Sequence, residues 1–198
     1  MKNLMKISVL GLLVVFLFTS CAKQPTQLIN DVKAGIDAVV KAGGDIYAKD
    51  ELKKLNDDYK AALDEVNAQA KKLFKKYGQA KEMLAKVKTD ADSVAQLIPA
   101  RKEEAKNNAI NAQNEAKAAF DAAKALLDKA PKGKGTKADI EAMKSDLAGL
   151  EAQLTEVQAS IDQEDYFGAR DKALSIKEKA NAISEQINAA IQKVKGTR

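Results

Sequence analysis

IEAMKSDLAGLEAQLTEVQASI, residues 140–161, sets Ile140, Met143, Leu147, Leu150, Leu154, Val157 and Ile161 at alternating steps of three and four. That period follows the 3.6-residue turn of an α-helix and gathers the apolar side chains into one stripe. A stripe this regular is a heptad seam, which is buried only when another helix faces it. The stretch therefore predicts a helical bundle, and the chain on either side must supply the partner helices.

On the C-terminal side, Asp162-Gln163-Glu164-Asp165 closes the helix, and a second seam follows through Tyr166, Ala169, Ala173, Ile176, Ala180, Ile183, Ile187, Ala190 and Val194 up to Gly196. On the N-terminal side, Pro131-Lys132-Gly133-Lys134-Gly135-Thr136-Lys137 is rich in helix breakers and has no apolar residue except the proline, so it reads as a loop. Before it, Ala105, Ala109, Ala112, Ala116, Phe120, Ala123, Leu127 and Ala130 form a seam built mainly of alanine, which lets helices approach closely. Pro99 removes a backbone donor just ahead of that seam, where it either kinks one long helix or opens a new one. If it only kinks, a helix over about 78–129 would run ~75 Å and serve two three-helix bundles placed end to end. If it breaks the chain, the same helices fold back as one bundle.

Further upstream, Tyr77, Ala80, Leu84, Val87, Ala91, Val94 and Ile98 form one seam, and Leu52, Leu55, Tyr59, Ala62, Val66, Ala70 and Leu73 another, starting near Asp50. Lys75-Lys76-Tyr77-Gly78 between them predicts a hairpin turn, although an unbroken helix through Gly78 would cost only about 1 kcal/mol. The first helix carries Leu28, Ile29, Val32, Ile36, Val39 and Val40 and stops at Gly43-Gly44. Shifting the chain by 88 positions lays Ile140, Met143, Leu147, Leu150, Leu154 and Ile161 on Leu52, Leu55, Tyr59, Ala62, Val66 and Leu73. One extra residue at the turn then lays Tyr166 on Tyr77, Ile176 on Val87 and Ile187 on Ile98. Seams match one another cheaply, but the shared tyrosine after each turn is more specific. The expected fold is all-α: an elongated antiparallel bundle of coiled-coil hairpins, residues 50–98 and 138–194, joined by a long Ala-rich connecting helix at 99–130.

The N-terminus has a different character. Lys2 and Lys6 flank an apolar run from Ile7 to Phe18, of a length suited to a signal peptide and too short to cross a bilayer as a helix. It ends in Phe18-Thr19-Ser20-Cys21, which resembles the lipobox of bacterial lipoproteins, with Phe18 in place of the usual aliphatic residue. That resemblance implies cleavage between Ser20 and Cys21 and acylation of the Cys21 thiol. Residues 1–20 are then the signal peptide, 21–25 a lipidated tether and 26–198 the helical domain. Four residues, Ala22 to Pro25, separate the lipid from the first helix, a reach of at most ~14 Å.

Composition removes several kinds of chemistry. The chain has no histidine, no tryptophan and a single cysteine, so the commonest general base and metal ligand are missing and no disulfide can form within it. No Gly-x-Ser-x-Gly elbow or glycine-rich phosphate cradle appears. No enzyme, no metal and no cofactor are expected beyond the covalent lipid on Cys21. The net charge of +5 falls once Lys2 and Lys6 leave with the signal segment, which gives little reason to expect nucleic acid.

The remaining polar clusters divide between solvated faces and binding surfaces. Lys71, Lys72, Lys75 and Lys76 surround Leu73 and Phe74, and Lys132, Lys134 and Lys137 line the later loop. Either group suits anionic lipid, lipopolysaccharide or wall polymer, and either also suits a helix that is merely well solvated. Asp162, Glu164 and Asp165 lack EF-hand spacing and read as helix-capping acids. Asn107, Asn111 and Asn114 read as a solvent-facing stripe, and Tyr77 and Tyr166 as packing residues at the bundle ends.

Together the lipobox, the Ala22-Lys23-Gln24-Pro25 tether, Tyr47-Ala48-Lys49-Asp50-Glu51-Leu52, the Pro131–Gly135 loop and Asp165-Tyr166-Phe167-Gly168-Ala169-Arg170 resemble a family of all-helical bacterial envelope lipoproteins catalogued as a domain of unknown function. Asp165-Tyr166-x-x-Ala169 also looks like a tetratricopeptide half-repeat, on helices about twice the usual length. The resemblance implies no reaction. The expected function is a non-catalytic structural or adaptor lipoprotein of the bacterial cell envelope, held to the membrane by its lipid and docking an envelope protein or wall polymer. A binding module for an anionic or amphipathic ligand such as peptidoglycan, lipopolysaccharide or lipid is the alternative. Ala22, where an aspartate would retain the protein at the inner membrane, resembles sorting to the periplasmic face of the outer membrane if the cell has two membranes.

Overall fold

Six helices carry the residues described by the computed structural model, 23–130 and 137–196 with side chains through 193. They are α1 (Thr26–Lys41), α2 (Gly44–Tyr47), α3 (Lys49–Ala70), α4 (Gly78–Asp128), α5 (Lys137–Asp162) and α6 (Tyr166–Gly196). The described residues contain no strand, and the helices pack on one another as an all-α bundle. Residues 1–22 and 131–136 lie outside the description, and with them Ser20, Cys21, Lys132 and Lys134.

The chain forms two compact units that divide at residue 100. In the first, α1, α3 and residues 78–98 of α4 enclose Val32, Ile36, Val39, Leu55, Ala62, Val66, Leu84, Val87, Ala91 and Ile98, with Leu28, Ile29, Leu52 and Tyr59 packed at the margin. The turn from α1 into α2 depends on two glycines. Gly43 has φ of 96°, where a side chain is strained, and a Cβ on Gly44 would lie 2.8 Å from the Val39 carbonyl oxygen. Val40, at the edge of the α1 face, is 46% exposed.

In the second unit, residues 101–128 of α4 pack with α5 and α6. Every alanine of the seam from Ala105 to Ala130 is buried, together with Phe120 and Leu127. Polar contacts between the helices fix their directions. Gln113 Nε2 donates to Gln158 Oε1 at 2.9 Å, and Lys177 meets Glu115 at 2.7 Å and Lys102 meets Glu164 at 2.5 Å. Moving along α4 from 102 to 115 thus runs against α5 and along α6, an up-down-up arrangement.

The α5–α6 turn closes through its own backbone. Asp165 N–H donates to the Ser160 carbonyl at 2.9 Å and Glu164 N–H to that of Ile161 at 3.0 Å, the paired bonds of a Schellman motif, with Glu164 at φ 62° in the left-handed position. Asp165 then caps α6: its Oδ1 accepts from Gly168 N–H at 3.0 Å, as the sequence reading of these acids expects. A Cβ on Gly168 would collide with that carboxylate, so the cap and the glycine go together.

Three expectations are resolved or changed. First, of the two alternatives for Pro99 the continuous helix over about 78–129 is the one observed: α4 runs unbroken from 78 to 128 with Pro99 inside it, so residues 99–128 continue it and are not a connecting helix of their own. Pro99 is exposed, and it leaves the carbonyl of Ala95, a residue half-buried against the core of the first unit, without its helical donor. Second, α3 ends at Ala70, so Leu73 leaves the seam and is 85% exposed, while Gln69 takes the last buried position. At this end the Gln69 carbonyl accepts from the Lys72 amide and its side chain from the Lys76 amide, and a longer α3 would in addition stack Lys71 on Lys75 and Lys72 on Lys76 at a cost of about 0.2–0.5 kcal/mol per pair. The residues in register in the second hairpin, Ala159, Ser160, Gln163 and Glu164, carry no such conflict, and α5 continues to Asp162 with Ile161 half-buried. Third, the seams include partly open positions, since Leu154 and Ile161 are only half-buried while Ser160, next to Ile161, is buried.

The same register also reaches the first helix of each unit. A shift of 88 carries α1 onto residues 114–129 and places buried Val32 on buried Phe120 and buried Val39 on buried Leu127. Each unit is a three-helix module, as the kinked-helix alternative expects, and the match of the first helices is partial, since the same shift lays buried Ile36 on exposed Lys124.

Candidate functional site

Residues 71–77 leave the end of α3 and return to α4, and two buried side chains fix both ends of this loop. Gln69, 9% exposed, donates from Nε2 to Glu65 Oε1 at 2.7 Å and accepts at Oε1 from the Lys76 amide at 3.4 Å. Its backbone carbonyl accepts from Lys72 N–H at 3.1 Å. Tyr77, 3% exposed, enters the core just before α4 begins. A glutamine is buried here because both ends of its amide find partners; an unpaired one would cost on the order of 1–3 kcal/mol.

Between these fixed ends the loop presents Leu73 at 85% and Phe74 at 80% exposure, the two most exposed large apolar side chains among the described residues. Lys71, Lys72 and Lys76 beside them are exposed and Lys75 is half-exposed. From Glu65 to Glu82 the chain holds five lysines and no acid between those two glutamates.

Some lysines on the helical faces are paired, whereas among the described residues others such as Lys33, Lys60 and Lys81 stand without an ion pair. Lys53 and Asp57 pair at 2.8 Å, and the hydrogen bond, reinforced by the opposite charges, raises the lysine pKa and lowers that of the aspartate. Lys86 pairs with Asp90 in the same i,i+4 geometry, as does Lys88 with Asp92. Among the described residues, Lys71, Lys72, Lys75 and Lys76 form no ion pair. Their positive charge is therefore directed outward and uncompensated locally.

The other candidates separate from this loop. Lys137 is exposed at the start of α5 in the second unit. Asn107, Asn111 and Asn114 are exposed, and Tyr77 and Tyr166 are buried, in line with the readings given to them. Open grooves run between adjacent helices, one of about 440 Å³ bounded by Asp146, Gly149, Gln153, Lys179, Ile183 and Gln186. Among the described residues, no three His, Cys, Asp or Glu side chains gather as a metal site, and no helix is long and apolar enough to cross a membrane.

The sequence reading identified the lysines but assigned Leu73 to the core and passed over Gln69. The missed signal was the absence of acids from 66 to 81, which distinguishes this lysine run from the compensated faces on either side. No family model, curated protein or solved structure matches the chain.

Proposed function

We propose that the protein is a non-catalytic lipoprotein of the bacterial cell envelope, anchored through acylated Cys21, whose two helical modules serve a structural or adaptor role toward an envelope protein or wall polymer. The reading rests on the apolar N-terminal segment ending in Ser20-Cys21, only four residues before the helical domain starts. The lack of histidine and of any second cysteine, together with seams filled by side chains, supports a scaffold rather than a catalyst. The resemblance to envelope lipoproteins and the Ala22 sorting residue support the outer membrane's periplasmic face in a diderm cell.

Mass spectrometry of the N-terminal peptide from membranes tests the anchor. The expected result is a peptide starting at Cys21 and carrying acyl chains, and Cys21→Ser should leave the precursor uncleaved. A chain beginning elsewhere, or an unmodified Cys21, would overturn the reading. Crosslinking in intact cells then tests the adaptor role, which predicts a recurrent envelope partner.

The exposed Leu73-Phe74 pair among unpaired lysines favours the second reading, a module that binds an anionic or amphipathic envelope ligand.

A further inference from the structure

We propose that the loop at residues 71–77 inserts Leu73 and Phe74 into an anionic bilayer, so that the first helical unit meets the membrane at a second point beside its N-terminal lipid. Three observations converge on lipid as the occupant. The two exposed apolar side chains are adjacent at the tip, as shallow insertion requires, whereas a groove for a partner helix would spread them at i, i+3 and i+4. Lysines flank the pair on both sides without acidic partners, which complements a surface of anionic headgroups. Gln69 and Tyr77 hold the two ends of the loop, so little ordering is needed on contact.

The position of the loop agrees with the anchor. Tyr59 Oη donates to the Ile29 carbonyl at 3.4 Å, which sets α1 and α3 side by side at that level, running in opposite directions. From there α3 continues to Ala70, ~16 Å, while α1 reaches its start at Thr26 within ~5 Å. The loop therefore projects from the same end of the unit as the tether and extends ~11 Å beyond the start of α1. Pro25 is buried and the Gln24 carbonyl accepts from Thr26 N–H at 2.9 Å, so the stretch ahead of Gln24 leaves the unit at the end where the loop projects. One lipid anchor binds a bilayer only marginally and reversibly, and a basic-apolar second contact converts that into stable attachment with a fixed orientation. The pairing of the two contacts rests on acylation of Cys21; the loop's own contact with lipid does not.

The chain has no tryptophan, so Phe74→Trp and Ile46→Trp each provide a single fluorescent reporter. Ile46 is 56% exposed on α2, at the opposite end of the unit. The full protein, matured in cells and purified from membranes, is reconstituted through its own N-terminus into vesicles of phosphatidylcholine alone or mixed with phosphatidylglycerol, with brominated lipids as quencher. In the mixed vesicles the expected result is blue-shifted, quenched emission from the Phe74→Trp variant and unshifted emission from the Ile46→Trp variant. Each Lys→Gln change at 71, 72, 75 or 76 should lower the inserted-to-free ratio roughly fivefold. Water-like emission from Phe74→Trp in mixed vesicles overturns the proposal, as does equal quenching of Ile46→Trp or equal insertion into phosphatidylcholine alone. The mass of the N-terminal peptide reads the anchor separately, so an inserted loop on an unacylated chain and an acylated chain with a free loop are distinct results.

Discussion

Truncating Leu73 to alanine should leave stability nearly untouched, whereas the same change at Leu84 should cost several kcal/mol. Both residues occupy a three-four seam in the sequence, and a heptad reading treats them alike. Full burial of a leucine contributes about 1.5–3 kcal/mol, and leaving a cavity raises the cost of truncation to about 2–5 kcal/mol. Leu84 is 0% exposed between α1 and α3, so the full penalty applies. Leu73 is 85% exposed, less than a fifth of its surface is removed from water, and the expected change stays within about 0.5 kcal/mol. Urea titration followed by far-UV circular dichroism measures both, with the midpoint read at constant slope so that a change in the denatured ensemble is not mistaken for a change in stability. A Leu73→Ala loss of about 2 kcal/mol or more, on the scale of Leu84→Ala, would show that the loop packs on the bundle. It would also remove the exposed side chain on which lipid insertion depends.

Pro99→Ala should stabilise the chain by up to about 3 kcal/mol, since it restores a helical donor inside α4; an unchanged thermal midpoint would argue that the helix does not pass through this residue. Glu164→Gly should gain a few tenths to about 1 kcal/mol in the same urea titration, because relief of the φ of 62° outweighs the exposed pair with Lys102; a loss would mean that the ion pair dominates. Burial, and then the negative charge of Asp37, raises the Tyr59 pKa above its usual value near 10. A raised folded-state value keeps the proton on in the native protein after the unfolded chain has lost it. The stabilising contribution is therefore complete below pH ~10 and declines as pH rises from there through the folded pKa. Tyr59→Phe should flatten this part of the alkaline stability profile, and a variant whose profile keeps the wild-type slope would refute the assignment.

Much of the architecture was legible because the apolar period runs unbroken along α4 and α6. Ala105, Ala109, Ala112 and Ala116 lead directly into Phe120, Ala123 and Leu127, and all of these are buried. The α5–α6 turn was legible for a similar local reason, since Asp165 can cap α6 only from its observed position. Helix ends and long-range consequences were less accessible. The apolar period continues to Leu73, but α3 stops at Ala70, where the Gln69 carbonyl and side chain take up the Lys72 and Lys76 amides, and a hydrophobic pattern alone carries no such backbone closure. Gln69 was hidden because its burial depends on Glu65 and on the Lys76 amide together, a satisfied network that residue type does not announce. At Pro99, the intrinsic cost of proline was clear from sequence, whereas a kinked and a broken helix fit the pattern equally well, and α4 is the continuous one.

The two modules share a register yet differ where their second and third helices meet, and that difference localises the candidate site. In the second unit α5 runs one turn longer, Ile161 stays half-buried, and a Schellman turn returns the chain within three residues. In the first unit the corresponding turn is unwound into a seven-residue loop that exposes Leu73 and Phe74. A scaffold alone gains nothing from this, because the exposed apolar surface is a liability. The second unit shows that the same register can end in a compact turn, so the loop is a property of residues 71–76 and not of the module. Its place at the end of the first unit where α1 begins gives the departure a physical use under the proposed anchoring, in which a contact there would share the bilayer with an acylated Cys21.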